Sequence, residues 1–198
     1  FSGFNPDNLS FPMGWSQDGT NLLYLYVDVQ LLSSNYTLNL LDLASGSLSE
    51  ILHLITDNPL TNIPLPLGHN NNLKLTGIPK AKRNPIHDNW VLLQLKTEDL
   101  VPTLTLDEGV LSFYVDILWN YTTGQMISLD NLVNEPITSS DFDWSPDGRY
   151  LLLTTTDSRR NDTTHILQFQ SDGTIQVVDS APTSRQTEFW LGAGNLML

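Results

Sequence analysis

Residues 144–151 read Trp144-Ser145-Pro146-Asp147-Gly148-Arg149-Tyr150-Leu151, and residues 15–22 read Trp15-Ser16-Gln17-Asp18-Gly19-Thr20-Asn21-Leu22. The two stretches share Trp-Ser-x-Asp-Gly followed by an apolar run. Aspartate hydrogen-bonds nearby main chain and glycine supplies positive φ without steric cost, so Asp-Gly reverses the chain between two strands. The aromatic in front of the turn is placed to cover the hairpin end. The apolar runs that follow, Leu22 to Val29 and Tyr150 to Thr156, are too continuous for a sheet with one wet face. They predict strands buried on both sides.

Two weaker copies exist. In Phe189 to Leu198, Trp190 and Gly194 keep the spacing of Trp144 and Gly148; in Ile86 to Leu93, Asp88-Asn89 stands where Asp-Gly is expected and Trp90 to Leu95 supplies the apolar strand. A second hairpin follows each of the first three motifs. It turns at Ala44-Ser45-Gly46-Ser47, at Tyr121-Thr122-Thr123-Gly124 and at Ser171-Asp172-Gly173. Four strands joined by hairpins and repeated along the chain predict an all-β fold of stacked four-stranded antiparallel sheets, the blades of a β-propeller or partial propeller. The units run over about 11–56, 73–130, 137–179 and an incomplete 186–198.

Asp18 to Asp88 spans 70 residues, Asp88 to Asp147 spans 59 and Gly148 to Gly194 spans 46. A blade needs about 40–50, so the first two units carry insertions. One is Asp57 to Pro85, rich in Pro, Asn and Gly and read as a long connection with a short strand at Leu73 to Thr76; the other is Thr97 to Gly109. Three units and a hairpin do not obviously close a ring. Phe1 to Phe11 adds a strand to the last blade, two chains combine, or the chain is part of a longer propeller; the third is favoured because Leu198 falls inside an apolar strand, where an uncapped edge invites self-association.

Asp143-Trp144-Ser145-Pro146-Asp147-Gly148-Arg149-Tyr150-Leu151 resembles the repeat of the TolB-like propellers, a WD-repeat relative also found in the propeller domains of prolyl-oligopeptidase-type enzymes. The close match covers about ten residues in one unit and most of them in another. The resemblance implies an extracytoplasmic (extracellular or periplasmic) binding or scaffolding module and says little about the ligand. The second unit lacks Ser-Pro-Asp-Gly and the fourth has lost its Ser and Asp.

The chain of 198 residues carries 9 Lys+Arg against 22 Asp+Glu, a net charge of −13. That balance repels a phosphate backbone and an anionic bilayer, which argues against nucleic-acid binding. With no cysteine, disulfides, thiol nucleophiles and cysteine-ligated metals drop out. No run of about 18 apolar residues reads as a membrane span. The one basic cluster, Lys74, Lys80, Lys82 and Arg83, reads as solvated surface on a loop or a patch for an acidic partner.

Candidate sites are few. His53, His69, His87 and His165 have no close ligand spacing, so no metal site is assigned, and His87 beside Asp88 is read as a local hydrogen-bonding group. Asp157, Asp162, Asp172 and Asp179 fall on turns without a calcium-loop pattern. Asp141 and Asp143 share a strand face, a geometry suited to paired carboxylates, but charge ahead of a turn is more commonly edge decoration. Asp147 is assigned to its turn, so Asp147→Ala is expected to lower folding stability rather than the rate of any reaction in a stable protein. Ser45-Gly46-Ser47 is turn chemistry, and Gly192-Ala193-Gly194 is too short for a phosphate loop. Trp119 is the tryptophan expected to be exposed. Asn35, Asn120 and Asn161 open glycosylation acceptor patterns.

No catalytic, cofactor or metal residue is therefore assigned. The expected function is a non-catalytic, extracytoplasmic propeller module that binds a protein, or less often a glycan, through its blade-connecting insertions. The alternative is the propeller domain of a larger prolyl-oligopeptidase-type hydrolase whose catalytic domain lies outside these residues.

Overall fold

The structure, a computed structural model, describes residues 8–29, 34–56, 73–99, 112–133, 139–157, 159–170, 172–183, 189–191 and 195–197. The first sheet runs β1 (Asn8–Trp15), β2 (Asn21–Val29), β3 (Ser34–Asp42), β4 (Leu48–Ile55). The second runs β5 (Leu73–Arg83), β6 (Trp90–Asp99), β7 (Ser112–Asn120), β8 (Met126–Ser128), followed by a single helical turn, α1 (Asp130–Val133). The third runs β9 (Ser139–Trp144), β10 (Tyr150–Thr156), β11 (Asp162–Phe169), β12 (Ile175–Pro182), and β13 (Phe189–Leu191) pairs with β14 (Asn195–Met197). Each four-stranded sheet is an antiparallel meander in chain order. The fold is all-β, built of four-stranded propeller-type blades.

Two strand assignments change. The strand predicted at Leu73 to Thr76 continues to Arg83, so it is the first strand of blade 2 and not part of a connection; the remaining stretch, 57–72, lies outside the described residues, as does 100–109. Asn8 to Phe11 pair with Val27 to Leu25 and Asp28, so they build blade 1 and are not spare for the last blade.

The repeated motif is explained by identical turn chemistry. Ser16 Oγ donates to Asp18 Oδ1 (2.6 Å), Thr20 N donates to the same oxygen (3.0 Å), and Asn21 N donates to Ser16 Oγ (2.8 Å). In blade 3, Ser145 Oγ donates to Asp147 Oδ1 (2.7 Å), Arg149 N to Asp147 Oδ1 (3.2 Å) and Tyr150 N to Ser145 Oγ (2.9 Å). The serine thus closes the hairpin mouth while the aspartate caps the turn. These bonds, Ser16's first, pull the Asp18 carboxyl down to about 2.

Blade 2 does this differently, which corrects the alignment of Asp88-Asn89 with Asp-Gly. Its turn is closed by Asn84 N donating to Trp90 O (2.9 Å), and the capping acceptor is Asn84 Oδ1, which takes Ile86 N (2.9 Å) and His87 N (2.8 Å). Asp88 faces outward from the turn, and its Oδ1 accepts Gln17 N of blade 1 at 3.0 Å. Asn84 Nδ2 donates to Gly148 O of blade 3 at 2.9 Å. The degenerate copy therefore stitches the middle blade to both neighbours.

Strand alternation splits the core in two. Val91, Leu93 and Leu95 of β6 face blade 1 and pack with Leu23, Leu25, Val27 and Leu38; Trp90 and Leu92 face blade 3 and pack with Trp144, Leu151, Leu153, Leu167 and Phe169. Trp90 and Trp144 both set their edges on Phe169, at 5.3 and 5.4 Å between centroids. Only β6 fully meets the expectation of burial on both faces. In β2 burial alternates, with Leu23, Leu25 and Val27 buried and Leu22, Tyr24 and Tyr26 half-buried, because no described hydrophobic cluster takes up its second face. Trp119, expected at the surface, is 4% exposed and belongs to the core between blades 1 and 2; it lies directly opposite Val91, on the inward parity of its strand. Among the tryptophans whose burial is described, the exposed one is Trp15, at 54%.

Candidate functional site

The acidic and basic candidates turn out to be partners. Lys80 and Lys82 stand on β5, not on a loop; the Lys80 ammonium bonds Asp141 and Phe142 O, and Lys82 Nζ lies 2.6 Å from Asp143 Oδ1. Arg83 is 7% exposed and donates to Asp88 O (2.7 Å) and Tyr121 Oη (3.0 Å). Burial pushes the Asp141 carboxyl up, yet the Lys80 bond and charge outweigh it and hold it below the ordinary value. The Asp141–Asp143 face is therefore a two-rung tie between the first strands of blades 2 and 3. Both carboxylates already have cations, and the lowered Asp141 has little basicity left for proton transfer.

The histidines stay apart. His53 lies 3.5 Å from Glu50 Oε1, His87 tilts against Phe169, and His165, 2% exposed, bridges Thr155 Oγ1 (3.0 Å) and Ser180 Oγ (2.8 Å); His69 lies outside the described residues. Among the described residues no three His, Cys, Asp or Glu side chains gather as a metal site would need. Asp157 and Asp172 accept Asn161 N and Thr174 N within their turns, whereas Asp162 opens β11 and accepts Thr156 Oγ1, and Asp179, expected on a turn, lies within β12 opposite Ile166 and accepts Ser180 N. Ser45 Oγ donates to Ser47 Oγ within its turn, and Gly192 to Gly194 lie outside the described residues. Of the three acceptor asparagines, Asn120 is 4% exposed with Oδ1 accepting Thr122 N and Thr123 N, Asn35 sits half-buried in β3, and Asn161 is exposed.

Sequence reasoning missed two buried acids. Asp116 of β7 is 0% exposed and Asp130 of α1 is 3% exposed, and none of their four carboxylate oxygens has a hydrogen-bond partner. Leu129 N bonds Asp116 O at 2.9 Å, which brings the two residues side by side. Gln94, directly opposite Asp116, spends its Nε2 hydrogens on Ser140 O and Oγ, each at 2.9 Å. Desolvation pushes Asp116 up to about 6; desolvation and then the neighbouring Asp116 charge push Asp130 up to about 8. The signal available in sequence was a lone acid in the run Val115-Asp116-Ile117-Leu118. With both side chains sealed between blades, these acids belong to the core chemistry, not to a surface site.

Among the described residues, a site open to a ligand lies between blades 1 and 2. A cavity of about 380 Å³ is lined by Leu9, Phe11 and Met13 of β1, Leu25, Val27 and Val29 of β2, Tyr36 of β3, Gly77, Ile78 and Pro79 of β5, and Lys96. Pairing of Leu9 with Val27 and Phe11 with Leu25 puts those side chains on one face. The gap opens because β5 slips register twice, between Leu75 and Gly77 and between Gly77 and Lys80. Gly77 offers no side chain and Pro79 no N–H, so the strand bulges there and leaves the Phe11 face uncovered. Leu9, Phe11 and Val29 are 45%, 44% and 44% exposed at its mouth. The Gly-x-Pro in a strand was the sequence signal for this bulge.

Fold and site together define a propeller-type scaffold with an apolar interblade pocket. No protein-family model matches the sequence, and no curated protein does. Among solved structures, the chain is similar to the β-propeller domain of the Trilobed protease from Pyrococcus furiosus (10% identity, TM-score 0.51), covering 90% of this chain and 44% of that one. It is also similar to TolB from Acinetobacter baumannii (14% identity, TM-score 0.46), covering 86% of this chain and 32% of that one. The chain thus spans less than half the length of either.

Proposed function

We propose that the chain is a non-catalytic, extracytoplasmic binding module whose blade 1–blade 2 pocket receives an apolar side-chain anchor from a protein partner. The observation that carries this is the pocket itself, concave, about 380 Å³ in volume and rimmed by exposed Leu9, Phe11 and Val29. That volume suits one or two large side chains, at the small end of ligand sites. A lining of aliphatic and aromatic carbon favours a protein anchor over a glycan, whose hydroxyls need polar partners. The extracytoplasmic setting rests on the resemblance of the Trp-Ser-Pro-Asp-Gly repeat. No helix among the described residues is long and apolar enough to cross a membrane.

Gly77→Val tests the pocket without dismantling it. A Cβ at Gly77 meets only Tyr36 Oη, at 3.4 Å, and the position needs no positive φ. The variant is expected to fold with stability within about 1 kcal/mol of the parent, because valine suits a strand, while narrowing the cavity beside Tyr36. Peptides selected from a random library against the parent are expected to share a large apolar residue and to lose affinity for Gly77→Val at least about tenfold. Selected peptides that bind both proteins equally, or that carry no apolar consensus, would refute the assignment.

A further inference from the structure

Blade 3 lines up a hydroxyl, an imidazole and a second hydroxyl on one face of β10, β11 and β12. Leu153 and Ser180 stand directly opposite His165, and Thr155 follows Leu153 by two residues on the same face. His165 Nδ1 lies 2.8 Å from Ser180 Oγ, and its Nε2 lies 3.0 Å from Thr155 Oγ1. His165 and Thr155 are buried, at 2% and 3% exposed, whereas Ser180 is open to solvent.

A bulge puts serine at that position. Val177 stands opposite Leu167 but Asp179 opposite Ile166, which leaves Val178 as an extra residue in β12. Without it the register would bring Asp179 against His165, and an acid there would favour the imidazolium ion. The extra residue turns Asp179 to the other face and gives His165 a hydroxyl neighbour.

The hydrogen bonds also assign the tautomer. Thr155 Oγ1 donates to Thr163 O at 3.4 Å, so toward the ring it is an acceptor and Nε2 carries the proton. Nδ1 is then the bare nitrogen, and the Ser180 hydroxyl donates to it. This is the relation of nucleophile, base and orienting group that activates a hydroxyl. Ser180 N, however, donates to Asp179 Oδ1 at 2.8 Å, so it does not stabilise an oxyanion. Capture without rapid turnover is the chemistry that remains.

We propose that Ser180 is a base-activated serine that takes an acyl group from activated esters, a site of covalent acylation independent of the pocket between blades 1 and 2. Ser180 Oγ attacks the carbonyl carbon while its proton passes to His165 Nδ1. The bond to the leaving aryl oxide or thiolate then breaks, and that anion takes the proton from His165. The products are O-acyl-Ser180 and a phenol or thiol, with no change in oxidation state. The acyl group stays on the protein, so the chain is modified and does not act as a catalyst.

The test is reaction of the folded chain with 4-nitrophenyl acetate, followed by peptide mass mapping before and after hydroxylamine, which removes acetyl esters and leaves acetylated lysines. A hydroxylamine-labile acetyl group is expected on the peptide carrying Ser180, formed at least about tenfold faster than on the exposed Ser45. Ser180→Ala, at a solvent-open position, removes it. His165→Gln is expected to slow acylation of Ser180 at least about 30-fold with unchanged circular dichroism. Because His165 is buried, a second pair decides the matter if that variant fails to fold. Thr155→Val keeps the shape, loses the acceptor for Nε2 and is expected to slow acylation at least about fivefold, while Thr155→Ser restores it. No label on Ser180, a rate no faster than that of Ser45, or a Ser180 rate indifferent to Thr155→Val overturns the proposal.

Discussion

Gly148→Ala is expected to destabilise the protein by about 3 kcal/mol, whereas Gly19→Ala, at the same position of the same motif, is expected to cost about 1 kcal/mol. Both glycines have positive φ, +63° and +71°, so both substitutions carry left-handed strain. The difference is tertiary. A Cβ on Gly19 meets nothing within 4 Å, while one on Gly148 falls 2.4 Å from Asn84 Oδ1 and 3.2 Å from Ile86 Cβ. Asn84 cannot simply turn away. Its Oδ1 holds Ile86 N and His87 N, and its Nδ2 bonds Gly148 O, so displacing it strands two part-buried main-chain donors and the buried Gly148 carbonyl. Urea unfolding of the two variants reads the contrast directly, and in a chain this long each kcal/mol moves Tm by about 2–4 °C. Equal losses in the two variants would mean that the Asn84 bridge does not hold blades 2 and 3 together.

Asp130→Asn is expected to gain about 3 kcal/mol more over the parent at pH 8 than at pH 5. Asp130 has a folded value of about 8 against an ordinary aspartate value of 3.8, so the folded state binds the extra proton. A raised pKa contributes stability that is complete below the unfolded value and is lost as pH climbs through the folded one. The parent therefore weakens steadily from about pH 4 to 8, and Asp116, raised to about 6, adds to the lower part of that window. The exposed turn acid Asp18, held at about 2, acts in the opposite sense and only below about pH 4, so maximum stability is expected near pH 4. General repulsion in a chain of net charge −13 produces a trend of the same sign. The asparagine removes one charge from it but the whole of the Asp130 titration. Melting temperatures of parent and variant at pH 5 and 8 separate the two causes: a variant with the parent's full pH slope would show that Asp130 is not the group responsible.

The contrast between these two residues shows how far local sequence reaches. Ser16, Asp18 and Gly19, like Ser145, Asp147 and Gly148, act within five residues of one another, so their turn is written in the motif and recognisable wherever it recurs. Alternation and hairpin spacing likewise expose the strands. Asn84 escaped notice because its role as a turn cap is spread over a longer loop and its second bond reaches 64 residues ahead. Lys80 and Lys82 read as loose surface charge because the acids that neutralise them lie 61 residues away.

The pocket was legible only as a bulge signal, Gly77-Ile78-Pro79, without the neighbour that turns a bulge into a cavity. Sequence by itself determined the blades, their strand order and the capped turns, since each follows from hydrogen bonds and side-chain periodicity over a few residues. Only the tertiary structure decided that Trp144 is core while Trp15 is surface, that Asp116 and Asp130 are sealed off from water, and that Phe11 borders a pocket. Those outcomes depend on which sheet lies against which face, and burial is a property of the neighbour as much as of the residue.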